Sequence, residues 1–147
     1  MRLTVHSDYS LRVLTFLALK RGELATIPEI SEAYGISRGH LMKVVHALGR
    51  LGYVATLRGR NGGLTLGKAA ESIRIGHVVR HTEESLALVE CFAKDKSSPG
   101  CKIDGTCRLK GVLAEAQRAF FDVLDRYTLA DIVDGRAAPL KRLLRLA

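Results

Sequence analysis

The chain has 147 residues, of which 47% are hydrophobic, 26% charged and 5% aromatic, with no Trp. That balance excludes a disordered chain and implies a core built from Leu, Val, Ile and Ala, enough for one domain or a small domain with an extension. The net charge of +8 is uneven: residues 1–80 carry twelve basic and five acidic side chains, whereas residues 81–147 carry eleven and ten. The first part is therefore the one suited to a polyanion, with a solubilising basic surface as the plainer alternative.

Arg2, His6, Asp8 and Arg12 break up the N-terminus before an apolar run can develop, so no signal peptide is expected. No apolar stretch approaches the ~20 residues needed to cross a bilayer. A cytoplasmic protein with no membrane partner is expected, and in that compartment cysteines serve as ligands or reactive thiols more often than as disulfides.

In chain order, residues 9–20 read as a mostly buried helix, with Ser7 or Asp8 as its N-cap and Gly22 beyond its end. Thr26-Ile27-Pro28-Glu29 is a capping box with Pro in the first turn, opening a helix that reaches about Tyr34 and stops at Gly35. Ser37 caps a third helix reaching about Arg50, with Gly52 beyond it. Two short helices about a glycine-containing turn form a helix-turn-helix. In the third helix Leu41, Val44, Val45 and Leu48 share one face, Lys43, His46 and Arg50 lie opposite, and Ser37, Arg38 and His40 occupy the N-terminal tip.

Strands are expected at 53–57 and 64–66, joined by Arg58-Gly59-Arg60-Asn61-Gly62-Gly63. In that loop Asn-Gly-Gly favours the positive φ a hairpin needs, and a hairpin directly after a recognition helix is a wing. Residues 69–82 read as one amphipathic helix with Ile73, Ile75, Val78 and Val79 apolar. Residues 91–107 are the loosest segment, with Lys94–Gly100 as loop formers. From Cys107 to about Tyr127 a long helix carries Leu109, Val112, Leu113, Ala116, Ala119, Phe120, Val123, Leu124 and Tyr127 at helical spacing. That stripe exceeds what a small winged domain can cover, so a symmetric homodimer is favoured over a helix folded back on its own N-terminal domain.

The expected architecture is mainly α with a small β wing. Residues 1–80 form a winged helix-turn-helix, 81–107 a connecting helix end and cysteine loop, 107–134 a dimerisation region, and 135–147 a tail of short helix or coil. In such a module the N-terminal side chains of the second helix (Ser37, Arg38, His40 and Lys43) reach base edges in the major groove of double-stranded DNA. Arg58, Arg60, Asn61 and Gly62 at the wing tip suit phosphates or a narrow minor groove. A dimer presents two such units and so reads an imperfect palindrome. No catalytic acid–base or nucleophilic set is visible, and Glu83-Glu84 read as a solvated helix end, so an enzyme is not expected.

Cys91, Cys101 and Cys107 are spaced C-x9-C-x5-C. A zinc ribbon needs paired C-x2-C knuckles and a fourth ligand. Three thiolates fix three positions of an iron–sulfur cluster and leave one iron to another ligand. Cys107, at a helix N-terminus, has its thiolate favoured by the helix dipole. Incidental thiols, a disulfide switch or zinc remain the alternatives at this point.

The segments Met1-Arg2-Leu3-Thr4, Asp8-Tyr9-Ser10-Leu11-Arg12, Arg58-Gly59-Arg60-Asn61-Gly62-Gly63-Leu64, Leu66-Gly67-Lys68, Ile73-Arg74-Ile75-Gly76, Val78-Val79-Arg80 and Tyr127-Thr128-Leu129-Ala130-Asp131 together resemble the bacterial winged-helix iron–sulfur regulators, the Rrf-two group. Within that group the chain is most similar to the nitric-oxide-sensing repressors, and the resemblance spans nearly the whole chain. It implies a [4Fe-4S] or [2Fe-2S] cluster on Cys91, Cys101 and Cys107. It also implies a further ligand, Asp8, supplied by the other protomer, with Arg12 one turn along placed to pair with Asp8 or the cluster. The implied activity is repression of nitric oxide detoxification genes, relieved when nitric oxide nitrosylates the cluster. The gap between Cys91 and Cys101, filled by Lys94–Gly100, is longer than the family pattern. Thr82-Glu83-Glu84-Ser85 and Glu90-Cys91-Phe92 also resemble the iron-responsive regulators of rhizobia, which makes iron, sensed through cluster loss, the alternative signal.

Overall fold

The structure is a computed structural model that describes residues 2–93 and 101–146. Lys94–Gly100, read above as loop formers, lie outside the described residues. Among the described residues seven α-helices and one two-stranded sheet are formed: α1 (Val5–Leu19), α2 (Ile27–Tyr34), α3 (Arg38–Arg50), β1 (Val54–Leu57), β2 (Gly63–Leu66), α4 (Ile75–Thr82), α5 (Arg108–Asp125), α6 (Leu129–Val133) and α7 (Ala137–Leu143). The mainly helical fold with a β wing is as expected from the sequence.

Helix α1 is the centre of the molecule. Val13, Leu14, Phe16, Leu17 and Leu19 are all but inaccessible, because α3, α4, α6, α7 and β2 pack around it. It begins four residues earlier than the apolar pattern suggests. The cap is neither Ser7 nor Asp8 but Thr4, whose hydroxyl accepts from the Ser7 amide at 3.2 Å. Ser7 is instead buried, and Asp8 stands in the first turn.

The helix-turn-helix follows the sequence closely. Thr26 and Glu29 close a reciprocal capping box at the start of α2, and α2 ends at Gly35 in the left-handed region, φ 66°, a conformation in which a side chain is strained. Ser31 donates to the Ile36 carbonyl at 2.6 Å and fastens the turn. Helix α3 then buries Leu41, Val44, Val45 and Leu48, the face predicted for it.

Strands β1 and β2 pair antiparallel from Val54–Leu66 to Leu57–Gly63. Ala25 adds a short third rung, exchanging amide and carbonyl with Leu64 at 2.9 and 2.7 Å, and roots the wing beside α2. The turn departs from expectation. The positive φ falls at Gly59 (116°), not in Asn61-Gly62-Gly63, and Gly62 N–H donates to the Gly59 carbonyl at 3.0 Å. Gly62 and Gly63 are required for space instead. A Cβ at Gly62 would collide with the Leu57 carbonyl, and one at Gly63 would lie 2.8 Å from the Ala25 carbonyl oxygen.

Residues 69–82 are not one helix. A 3-10 turn at Ala70–Ser72 is followed by extended Ile73 and Arg74 before α4 starts. Arg74 pairs with Thr128, flanked by bonds from Ile75 to Tyr127 (3.0 Å) and from Leu129 to Ile73 (2.8 Å). A tertiary bridge thus satisfies backbone groups that a continuous helix would have satisfied internally.

The region expected to serve dimerisation also divides. Helix α5 ends at Asp125, and α6, capped by a Thr128–Asp131 box, turns back to bury Leu129, Ala130 and Val133. The tail forms α7, and Leu140, Leu144 and Leu146 pack on the core around α1. Among the described residues no helix is long and apolar enough to cross a membrane.

Candidate nucleic-acid interface and metal centre

The N-terminal turn of α3 is held by Ser37, which accepts from the His40 amide at 3.4 Å. Ser37, Arg38 and Lys43 are exposed and His40 is half-buried. Arg58, Arg60 and Asn61 stand exposed at the hairpin tip, with Gly62 partly covered in the turn. The cationic side chains of both elements therefore face solvent, as a groove-reading helix and a backbone-contacting wing require.

His40 is not isolated from α1. The Tyr9 ring meets it edge-on with centroids 4.8 Å apart. Next to Tyr9, Asp8 accepts two bonds from Arg12, from Nε at 3.0 Å and from Nη2 at 2.9 Å. Asp8 raises the pKa of the Arg12 guanidinium, although partial burial opposes the effect. The guanidinium carbon of Arg12 lies 6.0 Å from the centre of the Tyr9 ring and 5.8 Å from that of Tyr34. Burial pushes the Tyr34 phenol up to about 12, against the nearby charge of Arg12. The pairing of Arg12 with Asp8 is as expected. The Asp8 side chain is 47% exposed, so its carboxylate is accessible from outside the subunit.

All three cysteines are free thiols; Cys91 and Cys107 are half-buried and Cys101 is exposed. Among the described residues no three His, Cys, Asp or Glu side chains are gathered in a metal-holding arrangement. The fold nevertheless brings features of the three stretches together. Cys91 lies in a 3-10 turn (Glu90–Phe92), and Cys107 caps α5 without a side-chain bond to its amides. Asp104, between Cys101 and Cys107, accepts a 2.5 Å bond from Lys110. That bond raises the Lys110 pKa, and the nearby Cys91 and Cys107 act in the same direction. The chemistry of the donor set fits an anionic iron–sulfur group: three unbridged thiols offer three of its four ligands, and the uncapped N-terminus of α5 and the Lys110 ammonium favour negative charge beside them.

The sequence did not identify the residues that join these parts. In α4, Arg80 clasps Asp125 of α5 through two 2.7 Å bonds and lies 4.2 Å over the Phe121 ring. Hydrogen bonding to Arg80, with its charge and those of His77 and Arg74, holds the Asp125 carboxyl below the usual range. Gly76 permits this approach, since a Cβ there would collide with the Asp125 carboxylate. Thr82 is buried against Ser7, with hydroxyls 2.8 Å apart. Glu83, read from the sequence as a solvated helix end, accepts from the Thr4 amide at 2.8 Å and the Thr4 hydroxyl at 3.0 Å. Burial favours its neutral form, but the Ser7 and Thr4 bonds prevail and lower its pKa. The advance signals were resemblance segments alone: Val78-Val79-Arg80, Ile73-Arg74-Ile75-Gly76, Met1-Arg2-Leu3-Thr4 and Thr82-Glu83-Glu84-Ser85.

Besides the Asp125 clasp, helix α5 meets the rest of the subunit through Phe121, its one buried residue, which the predicted stripe omitted. Leu109, Val112, Ala116, Ala119, Val123 and Tyr127 all face solvent, with Leu109 62% and Val112 54% exposed. An apolar stripe of this kind is a surface for association rather than core.

A capped recognition helix followed directly by a basic wing defines a winged-helix regulator, not an enzyme. The chain matches the Rrf2 family, described as Iron-dependent Transcriptional regulator, over residues 3–135, and it belongs to that family. It is 56% identical over 134 residues to the HTH-type transcriptional regulator NsrR of Bacillus licheniformis, covering 90% of this chain and 92% of that one. It is 53% identical over 144 residues to NsrR of Bacillus subtilis, covering 97% of each. Among solved structures it is similar to CymR, the global cysteine regulator of B. subtilis, with a TM-score of 0.72, 25% identity, and coverage of 90% of this chain and 95% of that one. Its fold is also shared with IscR of T. potens, with a TM-score of 0.72, 24% identity, and coverage of 90% and 86%.

Proposed function

We propose that the chain is a cytoplasmic, homodimeric repressor that binds an imperfect palindromic operator and responds to nitric oxide through an iron–sulfur cluster, [4Fe-4S] or [2Fe-2S]. Cys91, Cys101 and Cys107 of one protomer hold the cluster, and Asp8 of the other protomer completes it. When bound, the cluster supplies iron with which nitric oxide reacts. Ser37, Arg38, His40 and Lys43 read base edges, while Arg58, Arg60, Asn61 and Gly62 engage the backbone. The exposed apolar stripe of α5 supports the dimer. Identity of 46–56% to regulators named NsrR supports the choice of signal.

The observation that carries this reading is the contact of Tyr9 with His40, next to Asp8. One turn of α1 holds both the candidate ligand and a ring against the recognition helix. In the structure Asp8 is occupied by Arg12. Ligation through one oxygen leaves the other to accept from Arg12, so it turns the two-bond clasp into a single bond and loosens the guanidinium beside Tyr9 and Tyr34. Ligation at Asp8 thus alters what supports Tyr9 and, through it, His40.

The test is an anaerobic visible spectrum of the purified protein with iron and sulfide assays, followed by nitric oxide titration against operator binding. A brown protein that binds the operator and loses it in step with a nitric-oxide-dependent change of its bands is expected. Bands indifferent to nitric oxide but lost to an iron chelator would overturn the nitric oxide assignment in favour of iron. A protein still colourless after cluster reconstitution would remove the cluster altogether.

A further inference from the structure

Besides the Ala25 rung, the two strands of the wing meet at one ring. Tyr53 immediately precedes β1 and is only 4% exposed. Its carbonyl accepts from Gly67 N–H at 2.9 Å, just past the end of β2. Lys68, the next residue, places its ammonium 4.7 Å from the centre of the Tyr53 ring. The far end of the ring is fixed from outside the hairpin: Tyr53 Oη and His81 Nδ1 are 2.8 Å apart, and the two ring centroids are 5.9 Å apart. His81 belongs to the last turn of α4. Its neighbours in that turn tie elsewhere, Arg80 to Asp125 of α5 and Thr82 to Ser7 of α1.

Helices are stiff over a single turn, and a buried ring with both ends held has little freedom of its own. A displacement of α5 or of the start of α1 therefore reaches the turn 80–83 directly. From that turn the Tyr53–His81 bond is the polar link that leads to the hairpin. Helix α5 starts next to Cys107, and the first turn of α1 contains Asp8.

We propose that Tyr53 and His81 are positioning residues forming the joint through which the end of α4 sets the pose of the wing. Through it the cysteine-bearing and Asp8-bearing helices are coupled to the hairpin that carries Arg58 and Arg60. The link to the cluster rests on the function proposed above; the mechanical joint between α5 and the wing does not.

The experiment is hydrogen exchange of the full-length, cluster-free protein, comparing β1 and β2 amides with those of α3. Tyr53→Phe removes only the hydroxyl and leaves the ring for Lys68. It is expected to speed exchange in the wing roughly two- to tenfold, the scale of one lost part-buried hydrogen bond, while α3 stays unchanged. Asp125→Asn, which weakens the clasp on α5, is expected to loosen the wing in the wild-type background and to add little once Tyr53→Phe is present. Non-additivity of that kind is the signature of a shared path. Additive effects, or wing exchange indifferent to both substitutions, would overturn the joint. In the cluster-loaded protein, Tyr53→Phe is expected to shrink the ratio of operator affinities between loaded and cluster-free forms. A wild-type ratio of one would defeat the proposed function while leaving the exchange result to decide the joint. An exchange pattern as expected with an operator ratio equal to wild type would confine the joint to wing stability and refute its regulatory role.

Discussion

Replacing Asp125 with Ala deletes both 2.7 Å bonds to Arg80 while leaving the cation over Phe121. The Arg80 and Asp125 side chains are 33% and 31% exposed, so the pair lies between two regimes. Fully exposed pairs contribute ~0.2–1 kcal/mol, and breaking a fully buried pair costs ~3–5 kcal/mol. Bidentate geometry raises the value and solvent screening lowers it, giving an expected loss of about 1–2 kcal/mol at pH 7. For a chain of this size that corresponds to a fall in Tm of about 2–8 °C. The pH dependence gives a sharper check. Asp125 has a lowered folded-state pKa, so its contribution is fully present above the ordinary aspartate value of about 3.9 and is lost as pH falls below that through the folded-state value. The gap between wild type and Asp125→Ala should therefore be constant from neutral pH down to about 5 and close below about 4. Urea titrations at one fixed protein concentration would measure it. A gap below ~0.3 kcal/mol at pH 7, or one that persists unchanged at pH 3, would refute the assignment of this pair as a fastening between α4 and α5.

Three further outcomes are expected. Arg58→Ala should weaken binding to every duplex alike and reduce the slope of log K against log salt by about one contact's worth, ~0.9, whereas Arg38→Ala should relax base preference at one position by about 1–3 kcal/mol; competition binding on operator variants at several salt concentrations separates the two. Leu41→Ala, at a fully buried position on the core-facing side of α3, should cost about 2–5 kcal/mol in chemical denaturation. Thr26→Ala should cost about 1 kcal/mol by opening the capping box of α2, measurable as a shift in denaturation midpoint at unchanged m.

Much of the helix-turn-helix was legible because its signals are local. The capping box of α2, the left-handed Gly35, the cap at Ser37 and the buried face of α3 each depend on residues within a few positions of one another, and side-chain capping and helical periodicity act over that range. The pairing of Asp8 with Arg12, four residues apart on one helix, is of the same kind. Two misreadings were local, the Thr4 cap of α1 and the positive φ at Gly59; the others arose where distant chain decided the outcome. The break at Ile73–Arg74 exists because Tyr127–Leu129 supplies backbone partners from more than fifty residues away. Phe121 rather than Phe120 turned inward because α5 is oriented by the clasp of Arg80 on Asp125 and by the space at Gly76.

By itself the sequence determined the helix-turn-helix, the wing and its cationic tip, and the presence of three thiols in one stretch, since each follows from composition and short-range spacing. Only the tertiary structure decided that α6 and α7 fold back onto α1, that the apolar stripe of α5 faces outward, and that the end of α4 touches α5, the wing and the start of α1 at once. The polar contacts at the end of α4 alone join side chains 28 to 79 positions apart. No local pattern encodes which of many compatible surfaces will meet, because that choice is made by the packing of the whole core.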